Sequence, residues 1–200
     1  MLLCVVGGMQ AGIEDGWLIN ARQVVSPNCD GRPADAEINL IVVHGISLPP
    51  GQYGGPYIDQ LFSNTLDSSI DPFFDEIKEL RVSAHVLIGR DGGLTQYVSF
   101  DQRAWHAGQS CFDGCEGCND FSIGIELEGC DDQPYEAGQY QSLALLLHLL
   151  MQHYPAITPE RICGHSDIAP GRKTDPGPAF DWALLQQMLA TPKTLDGVQS

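Results

Sequence analysis

Ile38-Asn39-Leu40-Ile41-Val42-Val43, stopped by His44-Gly45, is the stretch on which the fold turns. Its last four residues are apolar, three of them β-branched, and nothing alternates with water-seeking side chains. A short continuous run of this kind fits a strand covered on both faces, hence one inside a sheet. Working outward, Ser122-Ile123-Gly124-Ile125-Glu126-Leu127 reads as a second strand. Residues 83–88 form a third, and residues 94–100 return after Arg90-Asp91-Gly92-Gly93, where Asp-Gly supplies the positive φ a hairpin turn needs. Residues 161–164 make a short apolar step into the loop GHSDIAPGRKTDPGP. The pattern predicts helices over 57–62, over 135–154 with Tyr140, Leu143, Leu147 and Leu150 at the helical period, and over 181–189. Strands and helices alternate irregularly, which predicts an α/β domain of the α+β type: one central mixed sheet flanked by helices.

The 200 residues suit a single domain, and 43% hydrophobic against 18% charged residues allow a real core. No repeat or linker divides the chain. Residues 14–190 are read as the domain, with 1–13 and 191–200 as flexible termini. Ten Lys+Arg against 26 Asp+Glu give a formal charge of −16, the opposite of a nucleic-acid or anionic-membrane footprint. No apolar stretch approaches the roughly 20 residues of a membrane span, and MLLCVVGGMQAG lacks a basic n-region and a long apolar core. These features predict a soluble cytoplasmic protein that contacts neither nucleic acid nor membrane. Seven cysteines cannot all pair within one chain, so reduced thiols are expected. Cys115 and Cys118 form a CxxC, but no second pair follows to complete a zinc knuckle.

GxGxxG, Walker A, GxSxG and HExxH are all absent, which removes the usual support for nucleotide, serine-hydrolase and zincin chemistry. What remains is a set of His and acidic residues where strands run into Gly/Pro loops. His44, His165 and Asp175 are candidate ligands for Zn²⁺, with Asp167 and His153 as competitors. Glu126 ends an apolar strand, where burial would raise its pKa toward that of a general base. Lys173 stands two residues before Asp175, within reach of a developing oxyanion. Each of these also reads as an ordinary structural histidine, strand-end charge or solvated loop lysine.

Four segments shift that balance: VVHGISLPPGQYGGPYIDQLF (42–62), LRVSAHVLIGRDGGLTQYVSFDQRAWHAG (80–108), CNDFSIGIELEG (118–129) and GHSDIAPGRKTDPGPAFDW (164–182). Together they resemble the N-acetylmuramoyl-L-alanine amidases, a superfamily related to phage T7-type lysozyme and the peptidoglycan recognition proteins. Within it they are most similar to the cytoplasmic anhydro-muropeptide amidases. The resemblance runs collinearly from about Glu14 to Leu189. It implies one Zn²⁺ per chain in a groove along the sheet, held by His44, His165 and Asp175. It further implies Glu126 as general base, Lys173 as transition-state stabiliser, and Arg81 and Trp105 as substrate-groove residues. The implied reaction is cleavage of the amide between N-acetylmuramic acid and L-alanine, on small muropeptides rather than the intact wall; the chain itself is expected to be a monomer. An exported or phage-type lytic amidase and a non-catalytic muropeptide binder are the neighbouring readings; a redox protein built on Cys115 and Cys118 is the unrelated one.

Three positions depart from the family pattern. Gly45 stands where Asn is usual and offers no side-chain amide, which bears on one substrate hydrogen bond. Gly117 stands where relatives can carry an arginine, which predicts a weaker grip on the acidic end of the stem peptide. An extension precedes Glu14, with Met9 as a second candidate start.

Overall fold

The structure is a computed structural model that describes the backbone of residues 4–6 and 9–191, and side chains from residue 12. The expected flexible ends at 1–3, 7–8 and 192–200 lie outside the described residues. Cys4–Val6 and Met9–Ala11 pair as an antiparallel hairpin.

Six strands form the central sheet: β1 (Arg22–Gln23), β2 (Leu40–Ile46), β3 (Val86–Ile88), β4 (Leu94–Gln96), β5 (Ser122–Glu128) and β6 (Ile162–Gly164). Their spatial order is β6-β2-β5-β3-β4-β1. All neighbours run parallel except β3 and β4, the hairpin turned by Asp91-Gly92. The expected mixed sheet is therefore present. β2 does not stop at His44, however, but continues through Gly45 to Ile46. The reason is that β5 keeps pairing with it, Glu126 opposite His44 and Glu128 opposite Ile46. A strand held this far along its length tolerates one glycine.

Alternate residues of a strand face opposite sides, so the sheet has two distinct surfaces. Ile41, Val43, Val86, Ile88, Ile123, Ile125 and Leu127 pack against α3 (Ala137–His153) and α5 (Trp182–Ala190). Gln139 clamps α3 down: its amide donates to the carbonyls of Ile88 and Glu128 at 3.2 and 3.0 Å. Leu147 sits fully buried at the centre of this layer. Leu147→Ala should cost about 2–5 kcal/mol, read as a lower urea midpoint with an unchanged slope.

The other surface is covered only in part. Leu87 and Tyr97 pack against α1 (Tyr57–Phe62) and α2 (Pro72–Ile77). Leu40, Val42 and Cys163 pack against Ala107, Cys118 and Ile168 of the neighbouring loops and the one-turn α4 (His165–Ile168). Between these two coverings, near the carboxyl ends of the parallel strands, the same face carries His44 and Glu126; open α/β sheets commonly take their ligands in a groove at that end. No helix among the described residues is long and apolar enough to cross a membrane.

Candidate metal centre and active site

Sheet register brings the first residues together. His44 and Glu126 are direct cross-strand partners on the groove face. Gly164 pairs with Val43, so His165, one residue further, comes up beside His44. His165 does not lie in a loop as its Gly/Pro surroundings suggest; it opens α4, whose turn closes with Ala169 N–H donating to the His165 carbonyl. The chain then folds back through turns at Ala169–Lys173 and Thr174–Gly177, and Ser166 N–H donates to the Asp175 carbonyl at 3.0 Å. That closure sets the Asp175 carboxylate against both imidazoles.

Three donor atoms converge. His44 Nδ1 lies 3.0 Å from His165 Nδ1 and 3.2 Å from Asp175 Oδ2, and His165 Nδ1 lies 3.1 Å from the same oxygen. Ligand atoms about 2.0–2.1 Å from a tetrahedral Zn²⁺ stand about 3.3 Å apart, so the triangle is the right size. Its chemistry fits as well. His165 Nε2 faces the Ala107 carbonyl at 3.1 Å, which can only accept, so that nitrogen carries the proton and Nδ1 is left with its lone pair in the neutral ring. Lone-pair nitrogens and a carboxylate oxygen in contact call for protons or a cation between them.

Electrostatics points the same way. Burial pushes the His44 imidazole down to about 4, so it is neutral at pH 7, the form that binds metal. The competing ligands are otherwise engaged: Asp167 Oδ2 accepts from Gly164 N–H at 2.7 Å, and His153 stacks edge-on with Tyr154 at the far end of α3.

Glu126 opens toward the groove while its Oε2 is buried and accepts no hydrogen bond. Burial, and then the negative Asp175, push its pKa well above the carboxylate range, against the opposing pull of Lys173. Lys173 is exposed, and its ammonium makes no ion pair among the described residues. Arg81 and Trp105 are not drawn into this cluster. The Arg81 guanidinium donates to the Lys78 and Leu80 carbonyls at 3.1 Å and is about half exposed. Trp105 is half-buried, with Asp30 beside its indole.

Gly45 does not open the groove. It faces the α3 side, where a Cβ would collide with the Tyr135 hydroxyl, which itself donates to the Pro176 carbonyl at 3.0 Å. A Cβ at 45 therefore points to the face opposite His44. Gly117 takes φ +70°, a left-handed conformation that suits glycine. Cys111 and Cys115 are exposed on a small hairpin and Cys118 is buried, and the six cysteines whose side chains are described are all free.

Two histidines escape a sequence reading. His85 is a satisfied core residue, accepting from Gly124 N–H at Nδ1 and facing the Gln102 carbonyl with Nε2, both at 3.0 Å. His106 instead touches the centre itself, its Nδ1 lying 2.9 Å from His44 Nε2. Its position in RAWHAG, directly after the tryptophan, was the available signal.

Residues 34–178 match the family model for N-acetylmuramoyl-L-alanine amidase. The 1,6-anhydro-N-acetylmuramyl-L-alanine amidase AmpD of Enterobacter cloacae is 58% identical over 179 residues, spanning 90% of this chain and 95% of that protein. A crystal structure of a selenomethionine derivative of AmpD superposes with a TM-score of 0.86 at 56% identity, covering 88% of this chain and 98% of the other. More distant is the amidase AmiD of E. coli, solved in complex with the substrate anhydro-N-acetylmuramic acid-L-Ala-D-γ-Glu-L-Lys. It has a TM-score of 0.56 at 28% identity, over 89% of this chain and 65% of AmiD. With the sheet and the His-His-Asp cluster in place beneath these matches, the chain belongs to the N-acetylmuramoyl-L-alanine amidase family.

Proposed function

We propose that the chain is a zinc-dependent amidase that hydrolyses the bond between the lactyl group of 1,6-anhydro-N-acetylmuramic acid and L-alanine. Its substrates are soluble muropeptides in the cytoplasm, and its place is in peptidoglycan recycling, where it acts as a monomer. The observation that carries this reading is the convergence of His44 Nδ1, His165 Nδ1 and Asp175 Oδ2 beside a carboxylate with an unpartnered oxygen. One Zn²⁺ held by those three atoms supplies Lewis acidity, lowering the pKa of water from 15.7 toward about 7 and polarising the scissile carbonyl.

The remaining work falls to side chains of this chain. Glu126 accepts the proton of the attacking water and returns it to the departing alanine nitrogen. Burial raises its pKa, which makes it a stronger base toward the water proton that it later returns. Lys173, exposed at the rim, brings a positive charge to the oxyanion of the tetrahedral intermediate, a contribution typically worth about 3–4 kcal/mol. The half-exposed Arg81 is available to a stem-peptide carboxylate, and Trp105 contributes groove wall next to His106.

The test is substrate choice. Soluble anhydro-muropeptides should release free stem peptide beginning with L-alanine much faster than purified sacculi do, followed by mass analysis of products. Polar groups fitted to the bicyclic sugar would be poorly matched by an open reducing end, a difference that can cost orders of magnitude. Equal turnover on intact sacculi would replace the recycling assignment with a lytic one.

A further inference from the structure

His106 makes two side-chain hydrogen bonds, and their directions can be worked out from the far end. The Cys118 carbonyl has no proton to give, so the Ser122 hydroxyl, 2.5 Å away, donates to it. With its proton committed, Ser122 Oγ accepts from His106 Nε2–H at 3.1 Å. A neutral imidazole protonated at Nε2 carries its lone pair at Nδ1. That lone pair accepts from His44 Nε2–H at 2.9 Å, which leaves His44 Nδ1 unprotonated and aimed at Asp175 and His165. A backbone carbonyl three links away thus decides which nitrogen of His44 is free to bind a cation.

The surroundings are arranged for this ring. Position 124 of β5 lies on the groove face, and a Cβ there would overlap His106, with Nδ1 only 2.6 Å away; glycine leaves the room. Asn119 Oδ1 accepts from both His106 N–H (3.1 Å) and Ala107 N–H (2.8 Å). The Ala107 carbonyl is the group that faces His165 Nε2. One dipeptide pinned by one asparagine therefore orients both histidines, by a side chain on one side and a carbonyl on the other.

We propose that His106 is a positioning residue of the metal centre, fixing His44 in the tautomer that presents Nδ1 to the cation. The inference rests on the ligand assignment above and extends it to a residue that touches neither metal nor substrate. Hydrogen-bonded partners of ligating histidines typically govern metal affinity by about 10–100-fold.

The experiment measures zinc affinity by chelator competition on the full chain. His106→Phe fills the volume without an acceptor and should bind Zn²⁺ about 10–100-fold more weakly, with an unchanged unfolding midpoint in the metal-free state. His106→Asn places an amide oxygen where Nδ1 stood and should recover most of that loss. Wild-type affinity in His106→Phe would overturn the proposal. So would equal losses in the Phe and Asn variants, since a merely structural role would not distinguish them. Long-range proton–nitrogen NMR of zinc-loaded wild-type protein gives a reading independent of any variant: protons are expected on Nε2 of both His44 and His106. A proton on His106 Nδ1, or metal on His44 Nε2, would also overturn it. The ligand assignment is tested separately by His44→Ala. Zinc retained there at full affinity sinks that assignment, whereas zinc lost there but kept in His106→Phe sinks only the present inference.

Discussion

Alanine at His44, His165 or Asp175 is expected to give a chain that holds no tightly bound zinc and cleaves no muropeptide above background. Each substitution removes one of the three donors that converge there among the described residues, and the two that remain are fixed by different parts of the fold. His44 is held by the sheet ladder, His165 by the first turn of α4, and Asp175 by the returning loop. Chelation of the wild-type protein should abolish activity in the same way, and stoichiometric Zn²⁺ should restore it. Metal analysis of the purified variants is the check: one zinc per chain in all three would mean the ligands lie elsewhere. Cys115→Ser, on its exposed hairpin, should leave zinc content unchanged.

Glu126→Gln should keep the fold and the zinc but lose about 10²-fold or more in kcat. Glutamine matches the carboxyl in shape and cannot take up a proton, so the change isolates acid–base chemistry from packing. The buried Oε2 that lacks a partner is the atom this argument concerns. Steady-state kinetics on a defined anhydro-muropeptide, together with zinc content, decide the matter; near-normal kcat would remove Glu126 from the mechanism. Lys173→Met should fall in the same direction, and an effect confined to KM would make Lys173 a substrate contact instead.

Much of this arrangement is legible in the chain itself, and its gaps have physical causes. The 38–43 run and SIGIEL declare themselves because Leu40–Val43, Ile123, Ile125 and Leu127 are fully buried and therefore apolar. Where β2 ends is not a local property, since His44 through Ile46 are kept extended by pairing with β5. α2 is not among the expected helices, although it carries a start signal in Asp71 and Pro72, with Asp71 accepting from Phe73 N–H. The candidate metal ligands stand out by residue type beside Gly/Pro loops, and family resemblance selects them from Asp167 and His153. His106 is marked only by its place after Trp105 in RAWHAG. Its role depends on an acceptor at Ser122, a missing Cβ at Gly124 and a ring at His44, none of which is near it in sequence. Gly45 shows the opposite failure: a departure in the motif that reads as a lost contact proves, in three dimensions, to face away from the groove.

The sequence distances between the ligands have a consequence for how the molecule is assembled. His44 and His165 are 121 residues apart, and they meet only because β6 docks along β2. Closing so long a loop carries an entropic cost, met when β6 docks and completes the sheet. No fragment lacking β6 could bring the donors together, and a nascent chain has no centre to load until its last strand is made. Occupancy of the site thereby reports on the whole topology. Any cation that binds there stabilises the finished fold over every partial one, by mass action alone.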